Sequence, residues 1–200
     1  TPASRWAGSV CRQPDRGEPV GYGRSAMSDV DSVNLALLAF RCCVGAVMLA
    51  HGLNHIYGGG KIEGTGRWFE SLGMKPGKLH AWLASLTEVA GGALLVLGFM
   101  MPLAGASVIG VMLVAWITNH RGNGFFIFRP GEGWEYVMTL TFAGLVLAVV
   151  GAGEWSLDNA FDWNDDFVGT TGLLTALIAG GGGAAALLVG FWRPVPKSGE

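Results

Sequence analysis

The sequence predicts an all-α, polytopic membrane protein: a bundle of four transmembrane helices, a fifth transmembrane helix, and a short interfacial helix after the first span. Hydrophobic residues make up 50% of the chain and charged residues only 14%, whereas about a quarter of an ordinary soluble domain is charged. The apolar residues also fall into long runs, with nearly all the charge between them. The 33 glycines agree with this fold class, because small residues let membrane helices approach closely.

Each apolar run is close to the roughly 20 residues that an α-helix needs to cross about 30 Å of hydrocarbon. Lipid offers backbone N–H and C=O groups no partners outside the helix, so strands are excluded for these segments. The runs are Val33 to Ile56, Leu79 to Phe99, Pro102 to His120, Glu135 to Ala152 and Thr170 to Trp192.

The segment before the first span, residues 1–32, is a polar arm that contains several arginines and shows no apolar period. Such a segment buries too little apolar surface to fold by itself. No apolar core followed by a small-residue cleavage site precedes Val33, so we expect the first span to act as the insertion signal.

Charged residues divide unevenly between the two sides of the predicted bundle. One side receives the cations Lys61, Arg67, Lys75, Lys78, Arg121, Arg129, Arg193 and Lys197. The other side receives the acids Asp29, Asp31, Glu154, Asp158, Asp162, Asp165 and Asp166. Because Lys and Arg collect on the cytoplasmic side, the first side is the predicted inner end and the second the predicted outer end. The N-terminus is then outside and the C-terminus cytoplasmic, although the arginines of the arm oppose this orientation.

The connections between the spans carry further information. In the first, Trp68, Phe69 and Leu72 fall close together on a helix that Thr65 is placed to cap and Gly73 to end, which predicts an interfacial helix. The second connection is so short that the second and third spans must be antiparallel neighbours. The fourth, residues 153–169, interleaves acidic and aromatic residues, which is typical of a segment at the outer interface.

Two charged residues are predicted near the middle of the bilayer. Arg41 lies well inside the first span and Glu88 well inside the second, and both depths come to roughly 14 Å at 1.5 Å per residue. An unpaired charge at that depth costs at least about 2.5 kcal/mol. We therefore expect Arg41 and Glu88 to form an ion pair. The alternative is that Arg41 extends outward and a protonated Glu88 bonds a carbonyl or hydroxyl group.

A second set of polar residues gathers at the predicted inner end: His51, His55, His80, Asn119, His120 and Glu135. The i, i+4 pair of histidines with further His and Glu at the same depth is able to bind zinc, to ligate haem or to pass protons to a quinone. The plainer interpretation is that interfacial histidines bond loop backbone and lipid headgroups.

Motifs for bound cofactors do not occur in the sequence. Cys42 and Cys43 are adjacent within the first span, which favours small core-filling thiols, and Cys11 stands alone in the arm. There is no CxxC, GxGxxG or Walker sequence. We expect no metal and no cofactor bound by this chain alone, with quinone at an interface as the exception, and no catalytic residue can be named. The net charge of -2 does not suggest nucleic-acid binding.

The last span is almost free of side chains over Ala179, Gly180, Gly181, Gly182, Gly183, Ala184, Ala185 and Ala186. A stretch of this kind is able to approach another helix closely on several sides. We expect it to contact a different subunit, because the first four spans already form a bundle. Packing inside its own bundle is the alternative.

Several segments together resemble the DoxX family of small bacterial membrane proteins. These are His51-Gly52 with Lys61, the stretch Trp68 to Pro76 (WFESLGMKP), Glu88 with Gly91-Gly92, the run Asn119 to Tyr136 (NHRGNGFFIFRPGEGWEY) and Gly151 to Asp158 (GAGEWSLD). The resemblance covers about Leu35 to Asp158. It divides the chain into the arm, 1–32, a DoxX-like four-helix bundle, 33–158, and a C-terminal part, 159–200, with the acidic-aromatic loop, the fifth helix and a short tail.

The resemblance implies a four-helix bundle in the bacterial plasma membrane, without a defined catalytic site. Family members are associated with thiosulfate:quinone oxidoreductases and other membrane oxidoreductase assemblies. Within the family, the chain is most similar to the actinobacterial member that accompanies the respiratory supercomplex of cytochrome bcc and cytochrome oxidase. The arm and the glycine-rich fifth helix lie outside the family core.

Two hypotheses of function follow, with the lipid bilayer and other respiratory subunits as the expected partners. In the first, the chain is a noncatalytic accessory subunit of a respiratory membrane complex. In the second, it is a subunit of a quinone-linked oxidoreductase in which His51, His55, Glu88, His120 and Glu135 line a quinone or proton site. A small-solute carrier would need inverted repeats or broken helices around a midplane site, and neither is evident in the sequence.

Overall fold

The computed structural model describes residues 27–194, and all regular structure in this range is helical apart from one isolated bridge between Met74 and Trp192. The predicted all-α fold is therefore confirmed for these residues. The expectations for the arm before Met27, for Cys11 and for Lys197 lie outside the described residues.

The helices follow the predicted apolar runs and the connections between them. In chain order they are α1 (Asp29–Tyr57), α2 (Lys61–Ser71), α3 (Gly77–Leu97), α4 (Met101–Ala115), α5 (Glu135–Val150), α6 (Leu157–Ala160), α7 (Asn164–Phe167), α8 (Gly169–Thr175) and α9 (Gly183–Phe191). A π-turn, Trp116–His120, extends α4. A π-helical segment, Ala176–Gly182, joins α8 to α9. The continuous stretch Gly169–Phe191 is called the C-terminal helix below.

Four helical stretches are long and apolar enough to cross a membrane: Asp29–Tyr57, Gly77–Leu97, Met101–His120 and Gly169–Phe191. They correspond to the first, second, third and fifth predicted spans, and the chain is a multi-pass membrane protein. The other predicted span contains α5, whose 16 residues rise about 24 Å, less than the roughly 30 Å of a bilayer core. A crossing by α5 stays a prediction, as does the orientation of the termini.

A helix is present where the sequence predicts an interfacial one, but α2 begins at Lys61 rather than near Thr65. Thr65 does not cap it, because its hydroxyl donates to the carbonyl oxygen of Lys61 at 3.1 Å. The buried side chains of Ile62 and Phe69 pack with Leu188 of α9 in one apolar cluster. The position of α2 at the membrane surface stays a prediction.

The predicted antiparallel hairpin of α3 and α4 is fastened by a residue from the connection after α5. The backbone N–H groups of Met100 and Met101 donate to the two carboxylate oxygens of Asp158, at 2.7 and 3.0 Å. The first amides of a helix have no partner inside the helix, so this buried carboxylate satisfies the start of α4. The long connection is thereby held against the hairpin at the predicted outer end.

Arg41 lies at the same end, and in the described part of the chain it does not form the predicted ion pair with Glu88. Its buried guanidinium donates to the carbonyl oxygens of Leu95 at 3.3 Å and Val96 at 2.8 Å, and also to that of Trp155. Carbonyl groups in the last turn of a helix lack intrahelical partners. Because Leu95 lies about 10 Å beyond Glu88 along α3, the arginine satisfies the end of α3 instead of the carboxylate.

Close packing of the bundle depends on glycines where helices cross. A Cβ atom added at Gly45 of α1 would lie 2.8 Å from a carbonyl oxygen of α3, and one added at Gly105 of α4 would lie 2.7 Å from Cβ of Ala148 in α5. A Cβ added at Gly180 would lie 2.7 Å from the carbonyl oxygen of Ala106 in α4. Thus α1 packs on α3, while α5 and the C-terminal helix both pack on α4.

The C-terminal helix has an inward and an outward side. Gly180 and Ala184 are buried within the chain's own bundle. This matches the alternative interpretation of the sequence, in which the last span packs inside its own bundle. On the outward side, Cβ atoms added at Gly181 and Gly182 would meet nothing within 4 Å. Contact with another subunit stays a prediction, and it now concerns the outward side alone.

We expect Asp158→Asn to lower the thermal stability of the purified protein, because the new amide nitrogen cannot accept a hydrogen bond from one of the two N–H groups. A lost hydrogen bond to a charged group corresponds to about 1.5–3 kcal/mol of unfolding free energy. Circular-dichroism melting in detergent measures the change. The control Asp165→Asn alters an exposed acid of the same connection and should leave melting unchanged. Unchanged melting of Asp158→Asn itself would contradict the role of this carboxylate.

Candidate functional site

A cleft of about 570 Å³ lies between α3, α4 and the C-terminal helix, toward the predicted inner end. Apolar side chains form most of its lining. We call it the histidine cleft, because four histidines are among its polar lining residues. These polar residues are His51, His55, His80, Thr87, Glu88, Ser107, Thr118, Asn119, His120, Glu132 and Tyr136. The polar cluster named from the sequence and this cleft therefore overlap, with Glu135 as the residue that does not line it.

Antiparallel packing explains why these residues meet. The end of α1 supplies His51 and His55, and the start of α3 supplies His80. The π-turn after α4 supplies Asn119 and His120. In an up-and-down bundle the ends of odd-numbered spans and the starts of even-numbered spans lie on the same side. Both π-helical segments contribute to the lining, and such segments occur often at functional sites.

A carboxylate and an imidazole lie in direct contact in the cleft. The distance from Nδ1 of His55 to Oε2 of Glu88 is 3.1 Å. The two atoms are not aligned for a hydrogen bond, and neither has another hydrogen-bond partner among residues 27–194. Glu88 is 3% exposed. This contact replaces the predicted pair with Arg41.

Gly52 allows this contact to form. A Cβ atom added at Gly52 would lie 2.9 Å from the carbonyl oxygen of Ser85 and 3.0 Å from Cβ of Glu88. Both distances are shorter than a Cβ atom normally keeps from a neighbouring heavy atom, so a side chain at position 52 would push α1 away from α3. Glycine at this position therefore brings the end of α1 close enough for His55 to reach the middle of α3.

His80 is the most deeply buried of the cleft histidines, at 2% exposed. Its ring makes an edge contact with the ring of Phe191, at a centroid distance of 5.1 Å, and lies 6.4 Å from the ring of Phe69. Neither ring nitrogen has a hydrogen-bond partner in the described residues. A buried polar group left without a partner costs about 1–3 kcal/mol. His80 is thus a polar group that a ligand in the cleft is able to satisfy.

The loop between the π-turn and α5 forms the inner rim of the cleft. Nδ1 of His120 lies 2.9 Å from the carbonyl oxygen of Glu132, across the loop. The side-chain amide of Asn123 donates to the carbonyl oxygen of Asn119 at 3.0 Å and to that of Glu132 at 3.2 Å. These bonds fix the rim, so His120 is held in place by the loop rather than free to turn.

Glu135 serves this loop instead of the cleft. Its carboxylate accepts a hydrogen bond from the backbone N–H of Ile127 at 2.9 Å. The next residue, Tyr136, lines the cleft, and its ring lies 6.4 Å from that of His51. Sequence reasoning missed Tyr136, because an aromatic residue at the start of a span is typical of the interface belt. The available signal in the sequence was that Tyr136 directly follows Glu135, a residue of the predicted polar cluster.

The described residues do not bring a set of metal ligands together. In the range 27–194, no three His, Cys, Asp or Glu side chains are placed to hold a metal ion. The zinc alternative for the polar cluster therefore has no ligand set in this part of the chain.

Comparisons with known proteins identify one family. Residues 36–121 match the model of the DoxX family, and we call this matched segment the DoxX domain. A comparison with curated proteins and one with solved structures each gave no match. The DoxX domain contains the cleft residues of α1, α3, α4 and the π-turn, whereas Tyr136 and the C-terminal helix lie beyond it.

We expect His80→Phe to leave the ligand-free protein at least as stable as the wild type, because the change removes two polar atoms that lack partners from an apolar environment. The gain is about 1 kcal/mol or more in unfolding free energy. Thermal melting of delipidated protein measures it. His51→Phe, at an exposed histidine of the same cleft, is the control and should change melting little. A large loss of stability in His80→Phe would mean that its ring nitrogens are satisfied after all.

Proposed function

We propose that the histidine cleft binds the headgroup of a quinone and that the chain is a membrane subunit of a respiratory electron-transport assembly. The observation that supports this most is that the largely apolar cleft contains buried polar atoms of Glu88, His55 and His80. These atoms have no hydrogen-bond partner among residues 27–194. A quinone has the same two properties, because an apolar ring carries carbonyl oxygens that accept hydrogen bonds. Its reduced form carries hydroxyl groups that donate them.

The depth of Glu88 supports a role in proton exchange. It is near the middle of α3, a helix long enough to cross a membrane, where ionisable residues are costly and usually functional. Its partner His55 belongs to the last turn of α1. The contact therefore joins a carboxylate at the depth of the cleft to an imidazole near the predicted inner end. In this proposal a hydroxyl of the reduced quinone donates to Glu88, and His55 takes the proton onward.

The chain would exchange protons with the quinone, while a neighbouring subunit would exchange electrons with it. This division of labour is consistent with the association of DoxX proteins with oxidoreductase assemblies that the resemblance implies. The proposal thus takes one part from each of the two hypotheses drawn from the sequence. The first contributes an accessory subunit of a respiratory complex, and the second contributes a quinone site.

Association with a larger complex has an observation of its own in its favour. Along the outward side of the C-terminal helix, Gly181 and Gly182 have open space around them, and Val189 is 79% exposed. A smooth helix surface in lipid allows a helix from another protein to approach closely. The resemblance suggests a supercomplex of the cytochrome bcc and cytochrome oxidase type as the partner.

Quinone binding is tested with Glu88→Gln, which keeps the shape of the side chain but removes its charge. We expect the affinity for the reduced quinone to fall by about tenfold or more, since hydrogen bonds to charged groups contribute about 1.5–3 kcal/mol. Quenching of tryptophan fluorescence in lipid nanodiscs measures binding, because Trp68 lines the cleft. Glu63→Gln, at an exposed site on α2, is the matched control. The proposal fails if the wild type shows no saturable binding.

Association is tested with Ala185→Trp, which places a large ring on the outward side of the C-terminal helix. We expect the respiratory partner to be lost from affinity purification in mild detergent, while the bundle remains folded because position 185 is exposed. Leu53→Trp, at an exposed position of α1, is the control and should keep the partner. Equal recovery of the partner with both variants would remove the docking role of this surface.

A further inference from the structure

The histidine cleft is open along one side. The helix α3 and the C-terminal helix both pack against α4, and the cleft runs between them with Gly110 of α4 in its lining. Leu83 and Thr87 line it from α3, and Ala179 and Gly183 line it from the C-terminal helix. All four of these wall residues are exposed. We call this opening the lateral furrow.

Hydrocarbon is the environment that the lateral furrow faces. Both of its walls are helices long and apolar enough to cross a membrane. Its rim is apolar, since Leu83 and Leu103 are each 41% exposed. An opening between two spanning helices, partway along their length, leads into the bilayer rather than into water.

At the other side of the same cleft are the polar groups without partners. His80 has two unsatisfied ring nitrogens, and Oε2 of Glu88 has only the misaligned contact with His55. One continuous site therefore presents hydrogen-bonding groups deep inside and an apolar channel that reaches the lipid-facing surface. A molecule that fits both parts has a polar head and a long apolar chain.

We propose that ligands reach the histidine cleft from the bilayer through the lateral furrow and that the furrow holds their apolar chain. This inference rests on the proposed function and narrows it. The ligand class becomes a quinone with a long prenyl chain, in contrast to a small quinone dissolved in water.

Under this proposal, the small residues of the C-terminal helix leave room in the furrow for the apolar chain of the ligand. Gly183 lines the furrow, and a Cβ atom added there would meet nothing within 4 Å. A large side chain at position 183 would therefore fit without disturbing the fold, but it would fill the space that the chain of the ligand needs. Gly182 has equally open surroundings and does not line the furrow, so it provides a matched control.

The test compares two probes with the same ring: a naphthoquinone without a chain and one with a polyprenyl chain. Each is titrated into nanodiscs that hold the wild type, Gly183→Trp or Gly182→Trp, with tryptophan quenching as the readout. We expect Gly183→Trp to weaken binding of the prenylated probe by about tenfold or more and binding of the chain-free probe by less than about twofold. Because both variants add one tryptophan, each titration is compared with that variant's own unquenched signal.

Photocrosslinking gives a second measurement that needs no substitution. A prenylated probe with a photoreactive group on its chain should label α3 and the C-terminal helix, near Leu83 and Ala179.

The outcomes separate the two proposals. If the wild type binds neither probe, the quinone function fails and the furrow proposal fails with it. If the wild type binds the probes but Gly183→Trp weakens both equally, weakens neither, or matches Gly182→Trp, the furrow proposal alone is overturned. Labelling confined to other helices would also overturn it.

Discussion

Close contact between α1 and α3 is the constraint on which the rest of the structure depends. In lipid, helices gain little from the hydrophobic effect and are held together by packing and hydrogen bonds. Gly45 and Gly52 let the two backbones approach to distances that a Cβ atom would prevent. The same approach brings Arg41 to the carbonyl groups at the end of α3 and His55 to the carboxylate in its middle. One helix crossing therefore sets the partners of both intramembrane charges.

The two ends of the bundle differ in how far their polar groups are satisfied. At the predicted outer end, both oxygens of the Asp158 carboxylate accept backbone hydrogen bonds, and Arg41 donates to three carbonyl groups, which leaves Nε of Arg41 and Oδ1 of Asn164 as the buried side-chain atoms there without a partner in the described range. Toward the predicted inner end, His80 and Glu88 are equally buried but have ring and carboxylate atoms without hydrogen-bond partners in the described range. Buried hydrogen bonds such as those of Asp158 stabilise a fold, whereas buried polar groups left open beside a cleft are characteristic of a binding site. The carboxylate that fastens the fold by two hydrogen bonds and the polar groups of the cleft thus lie toward opposite ends of the same helices.

The DoxX domain and the rest of the chain contribute different parts of the cleft. Residues 36–121 supply the histidines, the carboxylate and Asn119. The segments beyond this domain supply Tyr136, the ordered rim that includes Glu132, and the wall of the C-terminal helix. Polar groups inside a membrane site set which head group fits, while the walls set which chain can lie beside it.

The sequence by itself determined the apolar helices, the antiparallel hairpin of α3 and α4, and the gathering of His51, His55, His80, Asn119 and His120 toward one end. These features follow from local properties: the length of an apolar run, the length of a connection and the alternation of direction. Tertiary structure alone decided that Arg41 and Glu88 have separate partners, that Glu135 turns to its loop, and that Tyr136 lines the cleft. Neighbouring residues on a helix point about 100° apart, and the rotation of each helix is settled by packing against several others at once. The end of the bundle toward which the histidines gather is therefore readable from separate segments. The direction of each side chain requires the whole bundle, and so does the level at which a long side chain such as that of Arg41 finds its partners.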